Sequence, residues 1–297
     1  MASVTSGFSL ITGATDGIGR HTARRLVECG KSVVAHGRDD AKVDDVVREL
    51  EALAAQKGSG AMVRGVVSDL ATVSGARALA GLVRETVESG GGLEALYNNA
   101  GVFMKGAYVE TADGREMTFA VNVVAPYVLT GLLMGDLVKR ARESGRKSSV
   151  LNVASISASP RIDFENINAE KMFSAHGSYS LSKACMKAFS YELFDRLAAG
   201  KLCNGDATVD NLNVFSCDPG TVNTKMLLAG WGRCGIEIFE ANDQFDIMVS
   251  DIEKNSVDFN GCYFVGAAPM KRSSAPGDAD QARLWALLER ETKLVYV

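Results

Sequence analysis

Proline, histidine and tryptophan are scarce: 5, 3 and 2 residues in a chain of 297. So few prolines beside 30 glycines exclude collagen-like and proline-rich architectures and suit a fold with many tight strand-to-helix turns. The three histidines, His21, His36 and His176, stand at no metal-ligand spacing, so no metal is expected. The six cysteines, Cys29, Cys185, Cys203, Cys217, Cys234 and Cys262, form no C-x-x-C pair. A chain this long does not depend on disulfide staples, and they read as scattered reduced thiols. Positive charge has no excess: Lys and Arg number 32, Asp and Glu 36, and the net charge of −4 argues against nucleic acid as a partner. Long hydrophobic runs are missing as well. Apolar stretches are strand-length and interrupted, residues 1–8 carry no apolar signal core, and there is no N-x-S/T acceptor. These absences lead to the expectation of a cytoplasmic protein with no membrane span.

What is present is enough apolar residue, 46% against 23% charged, to bury a sizeable core and exclude wholesale disorder. Residues 8–13, 32–35, 62–67, 93–97, 149–153, 212–216 and 262–265 read as seven short strands. Between and after them, residues 18–29, 40–56, 72–87, 114–142, 178–198 and 278–291 carry helical spacing, with a bend expected at Pro126. Asp39 and Asp40 sit where an N-terminal cap of the second helix belongs. Strand-helix alternation implies right-handed crossovers. The fold class is therefore α/β: one doubly wound parallel sheet of about seven strands with helices on both faces, in one domain over residues 1–297. Two stretches that follow strand ends, 156–177 and 221–260, look irregular and lie where open parallel sheets bind ligands.

The first strand runs into Thr12-Gly13-Ala14-Thr15-Asp16-Gly17-Ile18-Gly19. Glycines between a strand and a helix allow a tight turn, close backbone approach to a pyrophosphate, and a helix N-terminus aimed at it. The second strand ends at His36-Gly37-Arg38. An acidic residue there would hydrogen-bond a ribose 2′-hydroxyl, whereas the Arg38 guanidinium can fork a 2′-phosphate. The bland reading of Arg38 is a solvated loop cation.

The three-residue gap between Gly13 and Gly17 resembles the short-chain dehydrogenase/reductase family, whose members carry T-G-x-x-x-G-x-G. Other motifs follow in order: Asp69 after the third strand, Asn98-Asn99-Ala100-Gly101 after the fourth, and Pro219-Gly220 with Val222 and Thr224 after the sixth. The resemblance covers nearly the whole chain. It implies a Rossmann-type domain with strand order 3-2-1-4-5-6-7, and a cofactor site of Gly13, Thr15, Asp16, Gly17, Ile18, Gly19, Arg38, Asp69, Asn99, Ala100, Gly101, Lys183, Pro219, Gly220, Val222 and Thr224. With Arg38 at the second strand, NADP(H) is expected over NAD(H). Segment 111–122, Thr-Ala-Asp-Gly-Arg-Glu-Met-Thr-Phe-Ala-Val-Asn, looks like the retinol-dehydrogenase-like branch, as do Gly-Cys-Tyr-Phe-Val at 261–265 and Ala-Arg-Leu-Trp-Ala-Leu-Leu-Glu at 282–289. That branch mostly uses NADP(H) on retinoids, steroids, lipid aldehydes or xenobiotic carbonyls.

Tyr179 and Lys183 stand at i and i+4, one helical turn apart on one face. A tyrosine beside an ammonium can serve as a proton donor, with its pKa lowered by the cation. Ser155, after the fifth strand, can hydrogen-bond a substrate oxygen, with Ser157 and Ser159 as competitors. Asn122 interrupts an apolar helical run. By resemblance, Asn122, Ser155, Tyr179 and Lys183 form the family's catalytic tetrad, with Asn122 anchoring a water of the proton relay and Lys183 also holding the nicotinamide ribose. The resulting expectation is NADP(H)-dependent hydride transfer on a small lipophilic carbonyl or alcohol. The alternative is a catalytically silent NADP(H)-sensing or scaffold protein on the same fold. Residues 102–108, 156–173 and 226–239 are expected to converge at the substrate mouth, with Phe103, Met104, Tyr108, Phe173, Met226 and Trp231 among the lining. Trp231 packing a surface helix is the competing reading. The resemblance also implies a possible homodimer, since members of the family usually dimerise through the helices that correspond to residues 114–142 and 178–198.

Overall fold

Phe8, Leu10 and Ile11 are apolar and fully buried, and they form β1 (Phe8–Ile11) near the middle of a sheet. The structure is a computed structural model and describes residues 6–254, 259–272 and 276–296. The other strands are β2 (Ser32–Gly37), β3 (Val63–Val67), β4 (Leu93–Asn98), β5 (Ser148–Val153), β6 (Leu212–Asp218), β7 (Tyr263–Val265) and β8 (Ala268–Met270). They form one sheet in the order β3-β2-β1-β4-β5-β6-β7-β8. The first seven are parallel, as the strand-helix alternation requires. β8 is an addition to the seven strands expected, a three-residue antiparallel edge paired with β7. It was too short and too polar in its surroundings to register as a strand.

The helices are α1 (Gly17–Glu28), α2 (Asp40–Lys57), α3 (Val73–Val87), α4 (Met117–Ser144), α5 (Ala175–Ala198), α6 (Lys225–Gly230), α7 (Asp243–Lys254) and α8 (Asp278–Thr292). Asp16, Asp39, Thr72, Ser174 and Thr224 each accept a backbone N–H at a helix start, which satisfies donors left over by the first turn. Leu10, Leu96, Val150 and Val214 are in register across four strands and face one core, shared with α3, α4, α5 and α8. Ile11, Tyr97, Leu151 and Phe215, one residue further on, face the other core under α1, α2 and α7. The alternation of faces along each strand makes two cores from one run of apolar residues.

Two regions differ from the expectation. The helix placed at 114–142 begins at Met117, and over Ala120–Val124 it widens to a π-helix. Pro126 removes a ladder donor, and the ladder re-spaces just upstream of it instead of kinking. Among the described residues, Met117–Ser144 is one helix long and apolar enough to cross a membrane, but 83% of its apolar window is buried in this fold. The 221–260 stretch, read as irregular, contains α6 and α7. Phe245, Ile247 and Met248 of α7 are buried against the second core, their run interrupted in the sequence by Asp246. Residues 255–258 of that stretch lie outside the described residues.

At the C-terminus, Tyr296 folds back onto α4. Its ring occupies the space where a side chain at Gly131 would stand, 2.3 Å from a Cβ built there, and its hydroxyl donates to the Tyr127 carbonyl. Tyr127, Phe189, Trp285 and Tyr296 form one aromatic cluster. The cluster covers part of the α4 and α5 surfaces expected to support self-association. Tyr296→Ala should therefore lower stability by about 3 kcal/mol, as large-to-small truncations in a core do, measured by urea denaturation.

His36, at the end of β2, is buried between two backbone groups. Gly13 N–H donates to its Nδ1 at 3.3 Å, and its Nε2 donates to Ser68 O at 3.1 Å. Burial pulls its pKa down to about 4, despite the hydrogen bond to Ser68 and the nearby Asp69 carboxylate. The unfolded chain takes up a proton near pH 6.5 that the folded imidazole refuses until about 4. Stability from this group is therefore full above pH 6.5 and falls as pH drops toward 4, by an amount on the order of 3 kcal/mol. Denaturation curves at pH 7, 5.5 and 4.5 should show that decline in the wild type and a shallower one in His36→Gln.

Candidate active site

Gly13 has φ +67°, a conformation that glycine adopts without strain, and a Cβ on Gly19 would lie 2.4 Å from Asn99 Nδ2 and from the Gly13 carbonyl. The turn is locked to β4. Thr12 Oγ accepts the N–H groups of Asn99 and Ala100 at 3.0 and 2.9 Å, and Asn99 Nδ2 donates to Thr12 O at 2.9 Å. Gln244, fully buried on α7, donates to Asn99 Oδ1 at 2.9 Å. Asp16 caps α1 and pairs with Lys225 of α6 at 2.5 Å, so α6 bridges the glycine turn. Gly17 and Thr224 face each other across the same gap. Thr15 lies against Gly37, and Ile18 follows Gly17 in the first turn of α1. Arg38 is exposed at the end of β2 beside this turn, with no ion pair of its own among the described residues. Asp69, exposed after β3, accepts the Ala71 N–H. The cradle that side chains on Gly13 and Gly19 would fill, with a helix N-terminus at its floor, fits a dinucleotide pyrophosphate.

The second half of the site lies at the ends of β5 and β6. Asn122 sits in the π-helical turn. Its Oδ1 accepts the Val102 N–H at 2.8 Å, and its Nδ2 donates to Val102 O at 3.1 Å and to Ser182 Oγ at 3.0 Å. Lys183 is buried, and its Nζ donates to Val153 O at 2.7 Å. A Cβ on Gly101 would stand 3.4 Å from Asn122 Oδ1 and 3.8 Å from Lys183 Nζ. Ser155 Oγ accepts the Ser157 N–H at 3.1 Å, and its hydroxyl hydrogen-bonds Tyr179. Ser159 turns away to Arg161 and Ser180, so Ser155 alone of the three serines meets Tyr179.

The electrostatics correct one expectation. Tyr179 is not acidified by Lys183. Burial pushes its phenol up to about 12, against the hydrogen bond with Ser155 and with a further rise from the Asp218 carboxylate. Burial pulls the Lys183 ammonium down to about 8, opposed by Cys217 and Asp218. The Lys183 Nζ is 5.5 Å from the Tyr179 ring centroid. Desolvation dominates at both groups, and the phenol sits under a wall of side chains.

That wall is aromatic. Trp231, which ends α6, lies 4.9 Å from Phe103, 4.9 Å from His176 and 5.6 Å from Tyr179 between ring centroids. His176 Nε2 lies 3.2 Å from the Gly230 carbonyl and anchors the same corner. Trp231, 40% exposed, thus packs at the Tyr179 corner and is not a core residue. Tyr108 meets Phe173 at 6.0 Å, and the Met226 methyl group lies 3.8 Å from a Cβ on Gly101. Phe239 is 72% exposed and stands apart from these ring contacts. Pro219 and Gly220 follow β6, Val222 bridges to Ile236, and the Thr224 hydroxyl caps α6. Sequence reasoning missed His176, Gln244 and Asp218. His176 stands one helical turn before Tyr179, a spacing that could have marked it, whereas the other two carry no local signal.

A family model described as short chain dehydrogenase matches residues 8–229. Polyprenol dehydrogenase of Mus musculus is 33% identical over 75% of this chain and 62% of its own length. Retinol dehydrogenase 14 of Mus musculus is 33% identical over 73% of this chain and 61% of its own. The chain thus spans just over three fifths of these relatives. An NADPH-bound carbonyl reductase from chicken fatty liver shares the fold with a TM-score of 0.64 at 20% identity, over 91% of this chain and 99% of that one. A 3-ketoacyl-(acyl-carrier-protein) reductase from Brucella melitensis, complexed with NADH, matches with a TM-score of 0.64 at 20% identity, over 89% and 97%. From the family match over most of its length and the identity to these relatives, the chain belongs to the short-chain dehydrogenase family, in its retinol-dehydrogenase-like branch.

Proposed function

We propose that this protein is an NADP(H)-dependent oxidoreductase that interconverts an alcohol and a carbonyl on a small lipophilic substrate. The observation that carries the reading is the meeting of the Tyr179 phenol with Ser155 above buried Lys183, at the sheet edge that also holds the glycine cradle. When bound, the nicotinamide supplies or accepts the hydride, and the protein contributes orientation and electrostatics. Ser155 donates to the substrate oxygen and orients it. Tyr179 holds its proton through neutral pH and delivers it to that oxygen in the direction of reduction. Lys183, fixed 5.5 Å from the Tyr179 ring centroid by its bond to Val153, holds the nicotinamide ribose. Asn122 holds the widened turn of α4 against Val102 and leads toward a water path for reprotonation. In this reading the glycine turn, Asp69, Asn99, Ala100, Gly101 and the segment from Pro219 to Thr224 hold the dinucleotide.

Arg38 supports NADP(H) over NAD(H). It is a cation without an ion pair among the described residues, at the strand end where an acid would favour a free ribose hydroxyl. The wall of Phe103, His176 and Trp231 supports a lipophilic substrate. The names of the relatives, a polyprenol and a retinol dehydrogenase, agree with that class.

Tyr179→Phe keeps the ring contacts and removes the transferable proton. Its kcat should fall by roughly 100-fold or more, with NADPH affinity within a few-fold of wild type, in assays against aldehydes and ketones. A folded Tyr179→Phe protein with near-normal kcat sinks the mechanism. Arg38→Asp replaces a phosphate partner by a repelling anion. Titration should show NADPH binding weakened by about tenfold or more while NADH binding moves little, since charge-assisted hydrogen bonds are worth roughly 1.5–3 kcal/mol.

A further inference from the structure

We propose that Asp218 is a positioning residue of this active site: it ties the backbone that carries Ser155 to the Pro219-Gly220 turn and presents a fixed negative charge to Tyr179 and Lys183. The proposal rests on the oxidoreductase reading above. Asp218 is the last residue of β6 and is 4% exposed. Its Oδ2 accepts the Ile156 N–H at 2.6 Å, and its Oδ1 accepts the Gly220 N–H at 2.6 Å. One side chain thus fixes two loops that leave neighbouring strands. Ile156 lies between Ser155 and Ser157, and the Ser157 N–H is the donor that holds Ser155 Oγ. Both backbone bonds set where the Ser155 hydroxyl points.

The chemistry asks for a carboxylate here. Two N–H donors converge from opposite sides, and each oxygen accepts one. An amide offers one acceptor and turns its own N–H groups toward the other donor. The charge has consequences of its own. The ionisable groups around it are Tyr179 and Lys183 from α5, Tyr263 from β7, Asp243 from α7 and Cys217 on its own strand. Lys183 is the cation among them, so Asp218 is its counter-charge in a buried site. For Tyr179 the same anion disfavours the phenolate.

The test compares wild type, Asp218→Asn, Ser155→Ala and the double variant, using alcohol oxidation with NADP+ followed across pH. Asp218→Asn should fold, weaken NADP+ binding by a few-fold through the freed Gly220 turn, and lose roughly tenfold or more in kcat. Removing the anion favours deprotonation of both Tyr179 and Lys183, so the rising limb of the kcat profile should move to lower pH. In the Ser155→Ala background the same change should cost much less, because the serine through which it acts is gone. A wild-type pH profile with unchanged kcat, or costs that simply multiply in the double variant, would overturn the proposal. Should Asp218→Asn not fold, amide hydrogen exchange on the wild type decides it. Slow exchange at both Ile156 and Gly220 supports the tie, and fast exchange at either refutes it. A wild type that turns over no alcohol or carbonyl counts against the functional reading, whereas an active wild type with an indifferent Asp218→Asn counts against Asp218 alone.

Discussion

Seven parallel strands all point their carboxyl ends at one edge of the sheet, and the first six hand the chain to crossovers there. The glycine turn after β1, the Asn99 turn after β4, Ser155 after β5 and Pro219 after β6 are neighbours for that reason alone. Their closeness is then fixed by a few polar side chains. Thr12 and Asn99 knit the first two turns together, and Asp218 knits the last two. Each of these side chains accepts or donates at buried backbone, where an unmade hydrogen bond is costly.

The polar interior beneath the site extends this logic. Asn98 donates to Thr130 and to Asn152, and Asn152 donates to Ser190, so β4, β5, α4 and α5 are joined by side-chain hydrogen bonds in the core. Asn122 adds a tie between α4, the β4 loop and Ser182 of α5. Such a network selects one arrangement of the helices that carry Asn122, Tyr179 and Lys183, because a shifted helix would strand several buried amides.

The upper wall is built differently. α6 is short, with no fully buried residue, and is held by its ends. Lys225 pairs with Asp16 at the glycine turn, while Trp231 packs among Phe103, His176 and Tyr179. This segment joins the half of the site suited to phosphate with the half suited to a carbonyl. It also covers the Tyr179 ring, 5.6 Å from Trp231.

From the sequence alone, the local periods and short motifs could be read. The apolar runs marked the strands, the three- and four-residue steps marked most helices, and the glycine spacing with Tyr179 and Lys183 pointed to the site. These features depend on neighbours along the chain, where backbone geometry sets the rules. What the tertiary structure decided depends on groups distant in sequence. The π-turn at Asn122 answers to Pro126 and to packing on α5, and α7 is a helix because Phe245, Ile247 and Met248 find a core. Trp231 reached the Tyr179 corner through contacts with residues more than 50 positions away. The rise at Tyr179, the fall at Lys183 and the tie that Asp218 makes between two loops follow from desolvation and convergence of loops, quantities that no spacing encodes.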